Sequence, residues 1–150
     1  MSWSAVVTSF SLFPRRNLVV LVMLFLSTSV LGCRRPRVEG TVNVDSILKV
    51  WNAAGFDTEK VVNVEPDAWS AGACSRGPVA GLELLICEYS SDDATLVGEK
   101  KMMSDWEEES VPTGAVVRTS RTLLAIADRN KADPSGGTIV RLAKLFTEQR

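Results

Sequence analysis

The sequence predicts an α+β fold, with an antiparallel sheet of about four to five strands and helices packed on one face. Two observations lead to this class. In three segments the apolar residues recur every three or four positions, as on one side of a helix, whereas five shorter segments alternate or are apolar throughout, as in strands. In chain order the segments read α-β-β-β-α-β-β-α, and strands that follow one another directly favour antiparallel hairpins.

The first predicted helix covers residues 42–56. Its apolar side chains share one face: Val44, Ile47, Leu48, Trp51 and Ala54. Asn43 is the predicted N-cap, because its side-chain oxygen can accept a hydrogen bond from a free N–H of the first turn. Gly55 followed by Phe56 predicts that the helix ends in a Schellman motif.

Three strands are predicted after this helix. Residues 60–66 form a short strand that Pro66 ends. Residues 68–74 and 79–89 form a hairpin, because the intervening "SRGP" has turn chemistry centred on Arg76 and Gly77. The longer strand carries apolar residues on both of its faces, which predicts an interior position in the sheet.

The second half of the chain repeats the pattern of helix and hairpin. A helix is predicted over residues 90–110, with Ser91 as its N-cap. A hairpin over 115–129 turns at 119–121, and its "LLAIA" segment is apolar on both faces, as in another interior strand. A closing helix is predicted over 138–149.

The first 33 residues have the organisation of an export signal. Arg15 and Arg16 carry the only charges there, and an unbroken apolar run from Leu18 to Leu26 follows. A bilayer-spanning helix needs about 20 apolar residues, and this run is much shorter. A charged start, a short apolar core and small residues at the end predict a secretory signal peptide rather than a permanent span.

The end of this segment resembles the lipobox of bacterial lipoproteins, through four residues: Val30, Leu31, Gly32 and Cys33. The resemblance implies that diacylglycerol is joined to the Cys33 thiol, that the chain is cleaved before Cys33, and that the new N-terminus receives a further acyl chain such as palmitate. Two alternatives are an ordinary signal peptide and an uncleaved anchor, with Cys33 incidental to both. Arg15 and Arg16 also leave twin-arginine export open beside the general secretory route.

The predicted organisation is therefore a signal peptide at 1–32, a lipidated N-terminus and tether at 33–40, and a single α+β domain at 41–150. Each buried methylene of the lipid would contribute about 0.8 kcal/mol, so two or more chains hold a protein stably. We expect a lipid-anchored protein of the bacterial cell envelope, facing the periplasm or the cell surface. Arg34 is not the Asp that retains lipoproteins in the inner membrane under enteric-type sorting, which favours the outer membrane.

Charge and composition exclude several classes of function. Removal of the signal peptide would leave 15 basic residues against 18 acidic ones, so no basic surface for nucleic-acid binding is expected. The chain has no histidine, which excludes Ser-His-Asp and Cys-His relays as usually built, as well as two-histidine zinc sites. No metal or cofactor is expected beyond the covalent lipid at Cys33.

Cys74 and Cys87 remain in the domain, and an oxidising compartment favours a disulfide between them. Free buried thiols and a metal or redox pair are the alternatives. The predicted hairpin does not place the two residues opposite each other. A disulfide would therefore require a bulge or irregular backbone at Cys74, for which "AGAC" has the small residues.

Two further groups are candidate binding residues. A glycine-rich loop before the closing helix could hold an anion, or a cation through its carboxylates: Asp128, Asp133, Ser135, Gly136 and Gly137. Asp133 and Pro134 are equally typical of an ordinary helix start. The tryptophans Trp51, Trp69 and Trp106 could stack against a ligand, although core packing is the simpler interpretation, and Trp69 is expected to be the most exposed.

These features favour a membrane-anchored module that binds or assembles with another envelope component, without catalysis. The alternative is a small periplasmic hydrolase or thiol-redox protein that uses carboxylates or the pair Cys74 and Cys87. The lack of histidine weighs against an enzyme without excluding one.

Overall fold

A computed structural model of the chain describes residues 38–109 and 113–149. The elements are α1 Val44–Ala53, β1 Val62–Val64, a 3₁₀ turn Asp67–Trp69, β2 Ala73–Val79, β3 Leu82–Glu88, α2 Asp92–Glu108, β4 Gly114–Thr119, β5 Thr122–Ala127 and α3 Gly137–Thr147. The α+β class and the predicted order of elements are confirmed. The predicted signal peptide, the lipobox and Cys33 lie outside the described residues.

The five strands form one antiparallel sheet in the order β1-β2-β3-β5-β4. β3 and β5 lie in its interior, as the apolar residues on both their faces predicted. Every residue of β5 is buried. A two-residue turn at Ser120 and Arg121 joins β4 to β5, at the predicted place.

The helices cover both faces of the sheet, whereas the sequence predicted them on one. α1 and α3 pack on one face, here called the α1/α3 face, against Val79, Leu82, Leu84, Ile86, Leu124 and Ile126. α2 packs on the opposite face, here called the α2 face, with Cys74, Leu85, Cys87, Tyr89, Leu123 and Ala125. The physical reason lies in the strands themselves, because successive residues of β3 and β5 point to opposite faces and nearly all of them are apolar.

Both predicted caps of α1 are confirmed. The Asn43 side chain accepts a hydrogen bond from the Asp45 N–H at 2.8 Å. Gly55 has φ of 86°, and the Phe56 N–H donates to the Trp51 carbonyl at 3.0 Å, which is the defining bond of a Schellman motif. α2 likewise begins at its predicted N-cap, where Ser91 Oγ accepts from the Ala94 N–H at 3.1 Å.

The first hairpin was predicted in the wrong register. Residues 67–69 form a 3₁₀ turn instead of part of a strand, and β2 runs straight through "SRGP" to Val79. The chain reverses at Ala80 and Gly81, whose φ angles of 51° and 77° are those of a type I′ turn. The glycine and proline of "SRGP" gave the stronger local turn signal, but the pairing of Val79 with Leu82 buries both apolar side chains.

Pro78 is accommodated within β2 by its place in the ladder. Counted from the two-residue turn, the pair Pro78 and Glu83 is a non-hydrogen-bonded one, so the proline nitrogen faces away from β3. On that side β1 pairs with β2 only as far as Arg76. Pro78 therefore has no β1 residue opposite it, and its lack of an N–H breaks no hydrogen bond between the two strands.

The start of the described chain is fastened to the sheet. Glu88, the buried last residue of β3, accepts hydrogen bonds from the Val38 N–H at 2.8 Å and from Thr41 Oγ1 at 2.6 Å. Arg121 donates to the Glu39 carbonyl at 3.1 Å. The last residues of the predicted tether 33–40 thus contact the folded domain.

Within residues 38–109 and 113–149, no helix is long and apolar enough to cross a lipid bilayer.

Candidate functional site

A cavity of about 270 Å³ lies on the α2 face, between α2 and the sheet. Its apolar lining includes Trp69, Leu85, Met102, Trp106, Ala125 and Ala127, and its charged lining consists of Arg76, Glu83, Asp105, Glu108, Glu109 and Arg129. The lining thus combines an apolar wall with charged side chains, and a concave surface of this kind is a candidate binding site. We call it the α2 cavity.

Three parts of the fold supply the α2 cavity. α2 and its C-cap contribute Met102, Asp105, Trp106, Glu108 and Glu109, and the 3₁₀ turn contributes Trp69. The Tyr89 hydroxyl donates to the Trp69 carbonyl at 3.3 Å and so ties the 3₁₀ turn to the end of β3. The remaining lining residues come from β2, β3 and β5 and from the residues directly after β5.

An ion-pair network lies along the sheet side of the α2 cavity. Glu83 is paired with Arg76, and Arg129 Nε donates to Glu83 Oε2 at 2.9 Å. Arg129 is also paired with Glu109. The two guanidinium groups are therefore already neutralised by Glu83 and Glu109.

The lining as a whole is acidic. Four carboxylates face two guanidinium groups, which gives the lining a formal charge of −2. Asp105 has only a long contact of 3.8 Å with Lys101, and such half-exposed pairs contribute little. Acidic residues at a helix C-terminus are also unfavourable to the helix dipole. The negative charge at this end of α2 thus makes an unfavourable contribution to the stability of the helix.

Cys74 and Cys87 are joined by a disulfide, as the sequence predicted. In the corrected register they are directly opposite each other, 4.2 Å apart between Cα atoms, in a non-hydrogen-bonded pair. No bulge is needed. Both residues are buried, with 3% and 0% exposure, so solvent thiols have little access to the sulfur atoms.

The loop before α3 brings Asp128, Asp133 and Ser135 together, and their side chains accept or donate hydrogen bonds within the loop and at the start of the helix. Asp128 accepts hydrogen bonds from the Ala132 and Asp133 N–H groups, both at 2.8 Å. Asp133 accepts from the Ile139 N–H at 3.0 Å and from Ser135 Oγ at 3.0 Å. The Asp133 carboxylate therefore occupies the positive end of α3, where an external anion would bind.

The pKa of Asp133 is lowered, chiefly by the Ile139 N–H, against a smaller opposing effect of burial, with further help from Ser135 and the N–H groups of Thr138 and Gly137. Carboxylates that accept such bonds are held ionised. Gly136 has φ of 70° and precedes the first turn of α3, which begins at Gly137. The loop residues act as a helix cap built from the protein's own groups.

The tryptophans divide between the two faces. Trp51 is fully buried on the α1/α3 face, where its indole N–H donates to the Leu142 carbonyl at 3.2 Å. Trp69 and Trp106 are partly exposed and line the α2 cavity together. The predicted ligand-stacking wall is therefore reduced to these two residues.

Tyr89 is buried, and its hydroxyl donates to the Trp69 carbonyl. Burial raises the pKa of its phenol to about 12. A Cβ on Gly98 would overlap the Tyr89 ring and hydroxyl, so α2 approaches the sheet closely at this glycine.

Several lining residues were not predicted from the sequence, among them Arg76, Glu83 and Arg129. They come from three separate segments, and only the register of β2 with β3 brings Arg76 and Glu83 together. A correct placement of the Ala80–Gly81 turn would have aligned Arg76 and Glu83 on one face. No local spacing pattern could have added Arg129.

Among the described side chains, no group of three or more His, Cys, Asp or Glu residues is arranged to hold a metal ion. Comparison of the chain with protein-family models, with curated proteins and with solved structures gives no match.

Proposed function

We propose that this chain is a lipid-anchored protein of the bacterial cell envelope and that its domain binds another envelope component through the α2 cavity. The lipobox-like residues ending at Cys33 support the anchor. Trp69 and Trp106, together with the charged residues that line the α2 cavity, support binding. The two chemical groups that a hydrolase or redox protein would have used, Asp128 with Asp133 and Cys74 with Cys87, are engaged in capping and in a buried disulfide.

The observation that carries the proposal is that charged residues of the α2 cavity lie away from the point where the chain enters the domain. Val38 and Thr41 are bonded to Glu88, at one end of β3, whereas Glu83 lines the cavity near the other end. α2 also runs from Asp92, next to the entry point, to Glu108 on the cavity lining. Its 17 residues span about 25 Å at 1.5 Å each.

A lipid at Cys33 would hold the entry end of the domain close to the bilayer. The five residue steps from Cys33 to Val38 reach at most about 18 Å when fully extended. Glu108, which lines the α2 cavity at the far end of the helix, could then lie up to about one helix length further from the bilayer. This arrangement suits a partner that approaches from the aqueous side.

Metabolic labelling tests the anchor. Cells that express the chain are grown with an alkyne fatty acid, and the protein is purified under denaturing conditions. We expect label on the wild type and none on Cys33→Ala, because the thiol is the acceptor. Equal labelling of the two, or none on either, would refute the anchor.

Site-specific photocrosslinking tests the binding site. A photoreactive residue replaces Glu108, on the cavity lining, or Val140, which is 66% exposed on α3. We expect a discrete adduct from position 108 in intact cells and none from 140, since α3 lies on the other face of the sheet. The same adducts from both positions would mean that the α2 cavity is not the site.

A further inference from the structure

We infer that the α2 cavity receives one basic side chain, lysine or arginine, of a partner protein. That the ligand belongs to a protein rests on the proposed function. The chemistry of the ligand follows from the size, the aromatic wall and the charge of the cavity.

The size of the α2 cavity suits a single side chain. At about 270 Å³ the α2 cavity lies just below the range of about 300–1,000 Å³ that holds whole drug-sized ligands. One long side chain would fit within this volume. Leu85 and Met102 in the lining can contact the methylene stem of such a side chain.

The aromatic wall suits a cation. Trp69 and Trp106 both line the cavity, and indole faces attract ammonium and guanidinium groups more strongly than other aromatic rings do. The position of Trp69 is fixed by the hydrogen bond from Tyr89 to its carbonyl.

The charge of the lining favours a cation over an anion. The arginines of the lining, Arg76 and Arg129, already face Glu83 and Glu109, so little positive charge is left for an incoming carboxylate or phosphate. Asp105 and Glu108 supply the remaining charge of −2 on the lining. A single positive charge on the ligand would reduce this repulsion between like charges.

We assign the cation to a partner protein because the proposed lipid at Cys33 would hold the start of α2, at Asp92, nearest to the bilayer. Amine-bearing lipid headgroups have the same chemistry, but the lipid anchor would hold the opposite end of α2 nearest to the bilayer. Glu108, at the other end of the helix, would then be more accessible to a protein that approaches from the aqueous side.

Indole resonances of the full-length chain in detergent micelles provide the test. The probes are acetyl-arginine amide and acetyl-lysine amide, with acetyl-glutamine amide as the neutral control. We expect the basic probes to shift the signals of Trp69 and Trp106 in a saturable way, while Trp51, fully buried on the other face, stays unchanged. No shift with the basic probes, or an equal shift with the neutral one, would overturn the inference.

A pair of variants isolates the charge effect. Asp105→Asn with Glu108→Gln should weaken the binding of acetyl-arginine amide about fivefold, the size expected for two exposed charge interactions. Asp92→Asn with Asp93→Asn, at the other end of the same helix, should change it less than twofold. Equal effects of the two pairs would contradict the assigned site.

The lipid source is tested in the same micelles. Added phosphatidylethanolamine should leave the Trp69 and Trp106 signals in place, and a saturable shift would overturn the assignment to a protein side chain. Because Cys33→Ala should bind the basic probes unchanged, failure of this inference is distinguishable from failure of the anchor.

Discussion

The two faces of the sheet are built differently, although they share the same strands. On the α1/α3 face the two helices bury large apolar residues: Val44, Ile47, Trp51, Ile139, Leu142 and Phe146. On the α2 face the single helix buries only Thr95, Gly98 and Met102, while Leu96, Val97 and Met103 remain exposed. A disulfide and a cavity lie on that face as well.

The difference indicates a division of roles. The α1/α3 face supplies most of the apolar burial that stabilises the domain. The α2 face buries less and relies on the covalent link between β2 and β3. The face with weaker packing is also the one that presents tryptophans and carboxylates in a cavity, as is common when binding surfaces are kept free of tight packing.

Neighbouring leucines of β3 test this comparison most strongly. Leu84 is 1% exposed and packs on the α1/α3 face, whereas the partly exposed Leu85 packs on the α2 face. We expect Leu84→Ala to lower the free energy of unfolding by about 3–5 kcal/mol, because it leaves a hole in a closed core. Leu85→Ala should cost only about 1 kcal/mol. Urea unfolding of both variants measures the difference, and equal losses would contradict the comparison.

Removal of the disulfide is expected to have the next largest effect. The Cys74→Ala, Cys87→Ala double variant should lose about 3 kcal/mol, on the entropy model for a loop of this length. Thermal unfolding with and without a reductant gives the measurement. Reductant should lower the Tm of the wild type and leave that of the double variant unchanged. A response of both would show that another group is being reduced.

Gly98 tests the close approach of α2 to the sheet. Alanine favours helix by about 1 kcal/mol over glycine, but here its methyl group would overlap Tyr89, at a cost of about 1–3 kcal/mol. We expect Gly98→Ala to be destabilised, and Val97→Ala, one exposed position away, to stay within about 0.5 kcal/mol of the wild type. A stabilised Gly98→Ala variant would mean that α2 does not lie against Tyr89.

Tyr89 reports directly on burial at the α2 face, because it is the only tyrosine of the chain. Its absorbance at tyrosinate wavelengths should titrate with a pKa of about 12 in the folded protein. In urea the value should return to about 10. Since the folded-state pKa is raised, this group's contribution to stability is complete below pH 10 and is lost as the pH rises towards 12. A folded-state titration near pH 10 would contradict the burial.

The cap at Asp133 gives the smallest expected effect. Its pKa is lowered in the fold, so its contribution is present above the unfolded value of about 3.9 and is lost as the pH falls below it. Asp133→Asn should therefore be less stable than the wild type at pH 7 and indistinguishable from it in strong acid. Exposed Asp57→Asn serves as the control, with a change within about 0.5 kcal/mol at pH 7.

Most of the fold could be predicted from local signals. The caps at Asn43, Gly55 and Ser91 and the turn at Ser120 depend only on neighbouring residues, and all are confirmed. The register of the first hairpin could not be predicted from local signals. The choice between a turn at "SRGP" and a turn at Ala80–Gly81 depends on which pairing buries Val79 and Leu82 against helices that are distant in sequence.

The candidate site was less predictable for the same reason. Trp69 and Trp106 were recognised as ligand-stacking candidates, but their separation from Trp51 requires knowledge of which helix covers which face. The ion-pair network of the α2 cavity forms because Glu83 is paired with both Arg76 and Arg129, and the register of the sheet brings these residues together. The glycine-rich loop has the composition of an ion site, yet Asp133 itself caps the helix.

We propose that a lipid at Cys33 holds the domain so that Glu39 lies nearer to the bilayer than Glu108, which lines the α2 cavity. The most direct test places a fluorescent amino acid at Glu39 or at Glu108 of the lipidated chain, in vesicles whose headgroups carry a nitroxide quencher. We predict strong quenching at position 39, weak quenching at 108, and none at either position in Cys33→Ala. Equal quenching at both positions, or stronger quenching at 108, would contradict the account.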